Sequence, residues 1–201
     1  MKRIFVLMLV LIMGLSLIGC GNKISKEFEI AKESASKVIA TGKIEGDVYT
    51  HEFGIRFEKP ENWVYSTEEE LAQMESQEGI VYDMFCQNVD TGSQVLVLYE
   101  DLLETTGNNT LTEEQYMEVV SNNLYRGGFM IMDVGKKELC GKEYEYLSAY
   151  TEHEYTSEAG TAEIMTINQI SCLRKEGGVM ISVIIMSFGE ENIDDIVKYF
   201  K

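Results

Sequence analysis

Two short apolar runs constrain the fold of this chain more than any other feature. Residues 95–99 (VLVLY) and 179–186 (VMISVIIM) have the length of strands and are almost continuously apolar, a pattern typical of strands covered on both faces. Tight polar turns at residues 90–92 (DTG) and at the glycine pair 177–178 join them to neighbouring strand-like segments. The sequence therefore predicts an antiparallel sheet whose central strands are buried.

Helices are predicted at three places. Two capping boxes, TEEE at residues 67–70 and TEEQ at residues 112–115, each begin a helix, and we expect these helices to cover 67–77 and 112–126. A third helix is predicted over 190–200 from apolar residues at helical spacing. Such helices cover the faces of a sheet, so the predicted fold class is α+β: an α-β-α sandwich with a six- to seven-stranded, mainly antiparallel sheet covered by helices.

The other segments give shorter or less regular elements. Residues 48–58 predict two short strands or one bent strand, with Gly54 as the break. Residues 100–111 are polar and predict a loop. Alternating and apolar patterns predict further strands that include 142–152 and 161–175.

The first twenty residues have the layout of an export signal. Lys2 and Arg3 precede an apolar run over residues 4–18, which is shorter than the roughly 20 residues of a spanning helix and typical of a cleaved secretory signal peptide. A membrane-spanning signal anchor is the alternative. The run ends in Leu-Ile-Gly-Cys, which resembles the lipobox of bacterial lipoproteins. The resemblance implies cleavage between Gly19 and Cys20 and a diacylglyceryl lipid on Cys20, whose two chains would anchor the protein stably.

The expected organisation is one globular domain on a lipid-anchored tether. Residues 1–19 are the signal peptide, 20–47 the lipidated cysteine and a flexible tether, and 48–201 a single domain of ordinary size. The lipobox places this domain on the outer face of the bacterial cytoplasmic membrane or facing a periplasm. The formal net charge of −17 argues against nucleic acid and against anionic lipid headgroups as partners.

The segment at residues 54–63 (GIRFEKPENW) carries a second resemblance. Its pattern of Gly, apolar residue, Phe, Pro and Trp resembles the opening of PsbP-like domains, which are named after a photosystem protein. The resemblance covers residues 48–201 in element order and implies an α-β-α sandwich, export and action mostly through protein partners, with no shared catalytic residue. From the residues alone, Ile55 and Phe57 point to one face of a strand, and the following turn returns Trp63 over the core.

The cysteines and histidines give little evidence of chemistry. Cys86, Cys140 and Cys172 remain after lipidation of the lipobox cysteine, and their spacing matches neither a redox nor a zinc motif. We expect free thiols, although an exported protein could also form one disulfide, with no pairing favoured by sequence. His51 and His153, each followed by a glutamate, could hold a metal only if the fold brought them together, so no metal and no cofactor other than the lipid is expected.

Tyr144, Tyr146 and Tyr150 are the candidate binding residues, because they share one face of a predicted strand. They could form an aromatic contact surface, or they could pack in the core. No catalytic motif is present, so we expect no enzyme. Two hypotheses remain: a non-catalytic module that binds a protein or envelope partner through an exposed apolar patch, and a small-molecule or metal-binding accessory protein with a pocket.

Overall fold

The computed structural model describes residues 41–74, 79–156 and 160–201. The strands, in chain order, are β1 (Lys43–Glu45), β2 (Val48–Thr50), β3 (Arg56–Glu58), β4 (Trp63–Tyr65), β5 (Ile80–Asn88), β6 (Gln94–Asp101), β7 (Met130–Leu139), β8 (Lys142–Thr156), β9 (Ala162–Glu176) and β10 (Val179–Phe188). The helices are α1 (Glu68–Met74), α2 (Leu102–Thr106), α3 (Glu113–Arg126) and α4 (Ile193–Val197).

The main sheet has seven strands in the order β4-β5-β6-β10-β9-β8-β7, and every pairing is antiparallel. The two apolar runs form most of β6 and β10, which lie side by side near the middle of the sheet. The predicted six- to seven-stranded, mainly antiparallel sheet with buried central strands is therefore confirmed, with seven strands. The fold is an α+β sandwich.

One face of the main sheet, called here the closed face, is covered by a second sheet and by the chain end. Strands β1, β2 and β3 form this small sheet. Side chains at alternate positions of the central strands, such as Val97 and Val183, pack there with Phe57 and Trp63. The ring centroids of Phe57 and Trp63 are 6.3 Å apart. The expected return of the tryptophan over the core is confirmed.

The other face, called here the groove face, carries helices α1 and α3. Residues on α3 pack against the β8–β9 side of the sheet, in a cluster that includes Met117, Leu147 and Leu173. A separate cluster around Leu71 and Phe85 packs under α1. The two helices therefore cover different parts of one face, and the central strands run between them.

Both capping boxes form as predicted. The Thr112 hydroxyl accepts from the Gln115 N–H at 3.2 Å, and the Gln115 side chain accepts from the Thr112 N–H at 3.0 Å. Thr67 and Glu70 form the same pair of bonds at the start of α1. The described part of this helix ends at residue 74, so the remainder of the predicted helix lies outside the described residues.

Four elements differ from the sequence predictions. Strand β1 lies within residues 20–47, which were assigned to the tether, because its backbone pairs with β2. Helix α2 lies within the predicted loop, where the Asp101 carboxylate accepts from the N–H groups of Leu103 and Glu104 and caps it. Strand β8 extends past its predicted end at residue 152 to Thr156, and there it pairs with β9 beyond the neighbouring strands. Helix α4 is shorter than residues 190–200, because the chain end instead pairs with β3.

None of the helices within the described ranges is long and apolar enough to cross a membrane.

Candidate functional site

A groove lies on the groove face between α3 and the central strands. It encloses about 120 Å³, and strands β5, β6, β10 and β9 form its floor. Its apolar lining comes from Ile80, Tyr82, Leu96, Leu98, Val120, Leu124, Phe129, Leu173 and Ile184. The groove exists because α3 packs toward β8 and β9 and α1 packs on β5, which leaves the strip of sheet between them partly uncovered.

A buried carboxyl group lies at one end of this groove. Glu100 on β6 is only 1% exposed, and its Oε2 accepts a hydrogen bond from the Tyr116 hydroxyl of α3. Burial raises the pKa of Glu100 above its usual range, although the hydroxyls of Thr105 and Tyr116 act in the opposite direction. Burial also raises the pKa of Tyr116, so this hydroxyl keeps its proton and remains a donor.

The second oxygen of this carboxyl group is buried and lacks a hydrogen-bond partner. Among the residues that the structure describes, Oε1 of Glu100 has no hydrogen-bond partner. The Thr105 hydroxyl lies near enough to affect the pKa, but it donates to the carbonyl oxygen of Asp101 at 2.9 Å. A buried polar atom without a partner costs about 1–3 kcal/mol, so such an atom in a groove marks a position where a ligand donor would be favourable.

Further polar groups lie along the floor and at the other end. Gln169 on β9 is 1% exposed; its Nε2 donates to the Ser171 hydroxyl at 3.0 Å, and its Oε1 has no partner among the described residues. In the register of the sheet, Glu100 of β6 pairs with Met180 of β10, and Met180 pairs with Lys175 of β9. Lys175 lies six residues from Gln169 along β9. At about 3.4 Å per residue, the two side chains start about 20 Å apart. One compact polar group cannot contact both, so the groove suits an elongated ligand.

The groove has an acidic end and no basic side chain. Of the described residues that line it, none is Lys, Arg or His, and Glu100 is the only carboxylate. A negatively charged ligand would therefore be desolvated next to a carboxyl group with no compensating cation, which is costly. The groove is suited to an apolar body with hydrogen-bond donors at one end.

The closed face holds a different polar cluster, whose members satisfy one another. The Tyr49 hydroxyl donates to the Asp83 carboxylate and lies 3.0 Å from the Tyr99 hydroxyl. The Gly42 N–H donates to both oxygens of Asp83, at 2.9 and 3.0 Å. Burial raises the pKa of both tyrosines. These bonds attach the small sheet to β5 and β6, so this cluster is structural.

Arg174 fastens the adjoining loop to the same face. Its Nη2 donates to the carbonyl oxygen of Phe53 at 2.6 Å, and its Nη1 pairs with Glu176. The guanidinium carbon lies 5.1 Å from the centroid of the Tyr144 ring. A cation over an aromatic face is attractive, and here it holds β8, β9 and the loop before β3 together.

The three candidate tyrosines on β8 have different surroundings. Tyr144 is buried in the core of the closed face, and Tyr146 packs partly against it, with Nζ of Lys137 5.0 Å from its ring centroid. Tyr150 is half-buried, and its hydroxyl lies 3.7 Å from the sulfur of Met130. None of the three lines the groove, because Tyr144 and Tyr146 lie on the opposite face of the sheet.

The remaining candidates are placed as follows. Gly19, Cys20 and the predicted signal peptide lie outside the described residues. The other three cysteines are free thiols. Two of them are buried in the closed-face core, where burial raises the pKa of Cys86 to about 12 and that of Cys172 to about 12. Neither forms the reactive thiolate readily.

The two histidines lie in different environments. His51 is buried, and its ring stacks on Tyr99 with centroids 4.4 Å apart, whereas His153 is exposed on the extended part of β8. Within residues 41–74, 79–156 and 160–201, no group of three or more histidine, cysteine or acidic side chains is arranged to hold a metal ion.

The sequence analysis did not identify the residues that matter in the groove. Glu100 and Ser182 are polar residues beside or within the two apolar runs, and Gln169 lies in the more polar strand β9. A polar residue within or next to a run that is predicted to be buried on both faces is a signal that could have indicated Glu100 and Ser182; Gln169 has no such signal. Only the register shows that they share one face with Tyr116.

Comparisons with known proteins add little to this description. No protein-family model matches the chain, and no curated protein matches it. Among solved structures, the chain is similar to a protein from Bacteroides thetaiotaomicron VPI-5482, with a TM-score of 0.38 and 11% sequence identity. The match covers 73% of this chain and 42% of that chain, so this chain spans less than half the length of the protein it matches. These comparisons therefore indicate no function for the groove.

Proposed function

We propose that this protein is a non-catalytic small-molecule-binding module whose site is the groove between α3 and the central strands. The observation that carries the proposal is the Glu100 carboxyl group, which is buried in an apolar groove with one oxygen lacking a partner. Binding sites are mostly apolar concavities with a few polar groups that orient the ligand. A ligand with an elongated apolar body and a donor at one end fits this arrangement.

The cellular setting of this module is part of the proposal and rests on the N-terminal sequence. A signal peptide over residues 1–19 and a lipid on Cys20 would tether the domain to the outer face of the cytoplasmic membrane. Mass spectrometry of the full chain expressed in a bacterium tests this. We expect a diacylglyceryl adduct on an N-terminal Cys20, and a Cys20→Ala variant without lipid. An unmodified cysteine in the membrane fraction would contradict the lipoprotein assignment.

We further propose a PsbP-like relationship for the domain over residues 48–201. Its support is the motif at residues 54–63 together with the burial of Ile55, Phe57 and Trp63 in one cluster. The strand order tests it: superposition on PsbP domains should match the order β4-β5-β6-β10-β9-β8-β7, and a different strand order would refute the relationship.

Ligand-dependent thermal unfolding tests groove binding. The full chain is heated with a panel of small amphiphiles, sugars, peptides and nucleosides. A ligand at 100 times its Kd adds about 2.7 kcal/mol to the free energy of unfolding, which a melt detects. We expect small amphiphiles to raise the Tm, and sugars and nucleosides to have no effect.

Two variants of adjacent valines on α3 locate the site. Val120 lines the groove and Val119 does not, so Val120→Trp should abolish the ligand-induced Tm shift and Val119→Trp should retain it. A shift that persists in Val120→Trp would place the ligand elsewhere. A panel with no stabilising amphiphile would contradict the proposed function.

A second candidate function, binding of a protein or envelope partner, is favoured by the edge strand β7. Met130, Met132 and Val134 are 53%, 65% and 56% exposed, and among the described strands β7 pairs only with β8. Exposed apolar patches are typical of interaction surfaces. Cross-linking on native membranes should capture a partner that is lost in a Met132→Lys variant but kept in Lys136→Met. Equal capture by both variants would exclude this surface.

A further inference from the structure

We propose that the ligand of the groove is a primary alkylamine whose ammonium group binds the Glu100 carboxylate. This inference rests on the proposed function and names its ligand class. Three features of the groove support it: the hydrogen-bond state of the carboxyl group, the charge of the surroundings and the shape of the apolar part.

The hydrogen-bond state of Glu100 calls for a group that donates and does not accept. Oε2 already accepts from Tyr116, and Oε1 has no partner among the described residues. An ammonium group has three donors and no acceptor, so it can bind Oε1 without leaving a new acceptor unsatisfied. An alcohol would also satisfy Oε1, but it would leave the negative charge of an ionised carboxylate uncompensated.

The charge of the surroundings favours a cation. The described lining residues include no basic side chain, so an ionised Glu100 has no counter-charge in the groove. A buried charge without a counter-charge is strongly destabilising. A cationic ligand would supply the positive charge that the groove lacks. Over longer distances, a chain with a formal net charge of −17 raises the local concentration of cations and repels anions.

The shape of the apolar part favours a short chain over a ring system. Leu98, Leu173 and Ile184 line the groove beyond the carboxyl end, toward Gln169 about 20 Å along the strands. The volume of about 120 Å³ is close to that of an apolar cavity of roughly 150 Å³ that binds benzene. A linear amine of about the same number of carbon atoms has a comparable volume and would lie along the groove from the carboxyl end.

Isothermal titration calorimetry with three matched probes tests the proposal. Hexylamine, hexan-1-ol and hexanoate share one chain and differ in the charge of the polar end. For the purified full chain at pH 7, we expect hexylamine to bind at least tenfold more tightly than hexan-1-ol, and hexanoate not to bind.

Two charge-neutralising variants assign the effect to the groove. Glu100→Gln should weaken hexylamine binding at least tenfold and change hexan-1-ol binding by less than threefold; retained alcohol binding also shows that this variant is folded. Glu118 lies on the exposed side of α3, so Glu118→Gln removes the same charge and should leave hexylamine binding unchanged.

Several outcomes would overturn the amine assignment. Binding of hexan-1-ol or hexanoate as tightly as hexylamine would do so, as would equal weakening of hexylamine by both glutamate variants. If such binding is lost in Val120→Trp, the groove remains a binding site for another ligand class. If none of the three probes binds, the amine class is excluded, and the broader Tm panel decides separately whether the groove binds any small molecule.

Discussion

The two faces of the main sheet are built from the same strands but differ in how their buried polar groups are hydrogen-bonded. On the closed face, Tyr49, Asp83 and Tyr99 bond to one another and hold the small sheet in place. On the groove face, Glu100 and Gln169 each retain an oxygen without a partner in the described structure. Buried polar groups that are satisfied by the protein stabilise its architecture, whereas unsatisfied ones beside a groove are suited to a ligand. The Tyr144 hydroxyl and Arg174 Nε of the closed face also lack a partner among the described residues, but neither residue lines the groove. The candidate binding face is therefore distinguished by unsatisfied polar groups that line a groove.

The largest expected difference comes from two adjacent isoleucines on β10 that point to opposite faces. Ile185 is fully buried on the closed face, and Ile184 is partly buried beside the groove. Ile185→Ala should lower the free energy of unfolding by about 2–5 kcal/mol, and Ile184→Ala should lower it by clearly less, because the groove already leaves one side of that residue unpacked. Urea unfolding of both variants measures the difference. A larger loss in Ile184→Ala would contradict the assignment of the two faces.

A substitution of Gly42 tests how tightly the small sheet packs against the main sheet. A Cβ atom at Gly42 would lie 2.3 Å from Cε2 of Tyr49 and 2.7 Å from Oδ2 of Asp83. Gly42→Ala should therefore cost about 1–3 kcal/mol through overpacking and lower the Tm. Gly135→Ala is the control, since no atom lies within 4 Å of its added Cβ. Equal Tm values for both variants would show that the closed-face cluster tolerates expansion.

Substitutions in the capping box at the start of α3 test how stable this helix is as a wall of the groove. Thr112→Ala removes the hydroxyl that accepts from the Gln115 N–H and should cost about 1 kcal/mol. Thr112→Ser keeps a hydroxyl and should restore most of the loss. In Thr112→Ala, amide hydrogen exchange in α3 should be faster than in the wild type, and the exchange in β6 should change less. Unchanged exchange in α3 would mean that packing on β8 and β9 holds the helix without its cap.

The smallest expected effect is a pH dependence that belongs to the groove face. Because burial raises the pKa of Glu100 in the folded protein above its ordinary value of 4.5, the folded state retains this proton to higher pH than the unfolded state. The free energy of unfolding should therefore fall as pH rises from about 4.5 through the raised pKa. Glu100→Gln should lack this component.

Urea unfolding across this pH range gives the free energy of unfolding of the wild type and of Glu100→Gln. The difference between the two free energies isolates the contribution of the Glu100 carboxyl group from that of the other acids. A difference that is constant with pH would show that the Glu100 pKa is not raised.

Much of the fold was predictable because it depends on local patterns. The two apolar runs predicted the central strands, the glycine and aspartate turns predicted antiparallel connections, and the capping boxes predicted the starts of α1 and α3. Helix α2 and the ends of α4 and β8 were not predictable, since a capping carboxylate, a pairing chain end and a long hairpin override weak local preferences. The PsbP-like relationship and the lipid anchor remain predictions.

The candidate site shows the limit of such patterns. The strand pattern of Tyr144, Tyr146 and Tyr150 drew attention to aromatic residues, two of which lie on the closed face. Glu100 and Ser182 look in the sequence like isolated exceptions beside or within apolar runs, and Gln169 is one of many polar residues in β9.

Side-chain periodicity, capping motifs and the signal layout are local properties, so the sequence alone predicts the buried strands, the capped helices and export of the chain. The placement of Glu100, Tyr116 and Gln169 in one groove follows from the tertiary structure. The physical reason is that strand order and register bring β6, β9 and β10 together across long stretches of sequence, while α3 packs to one side and leaves the strip between the helices partly uncovered.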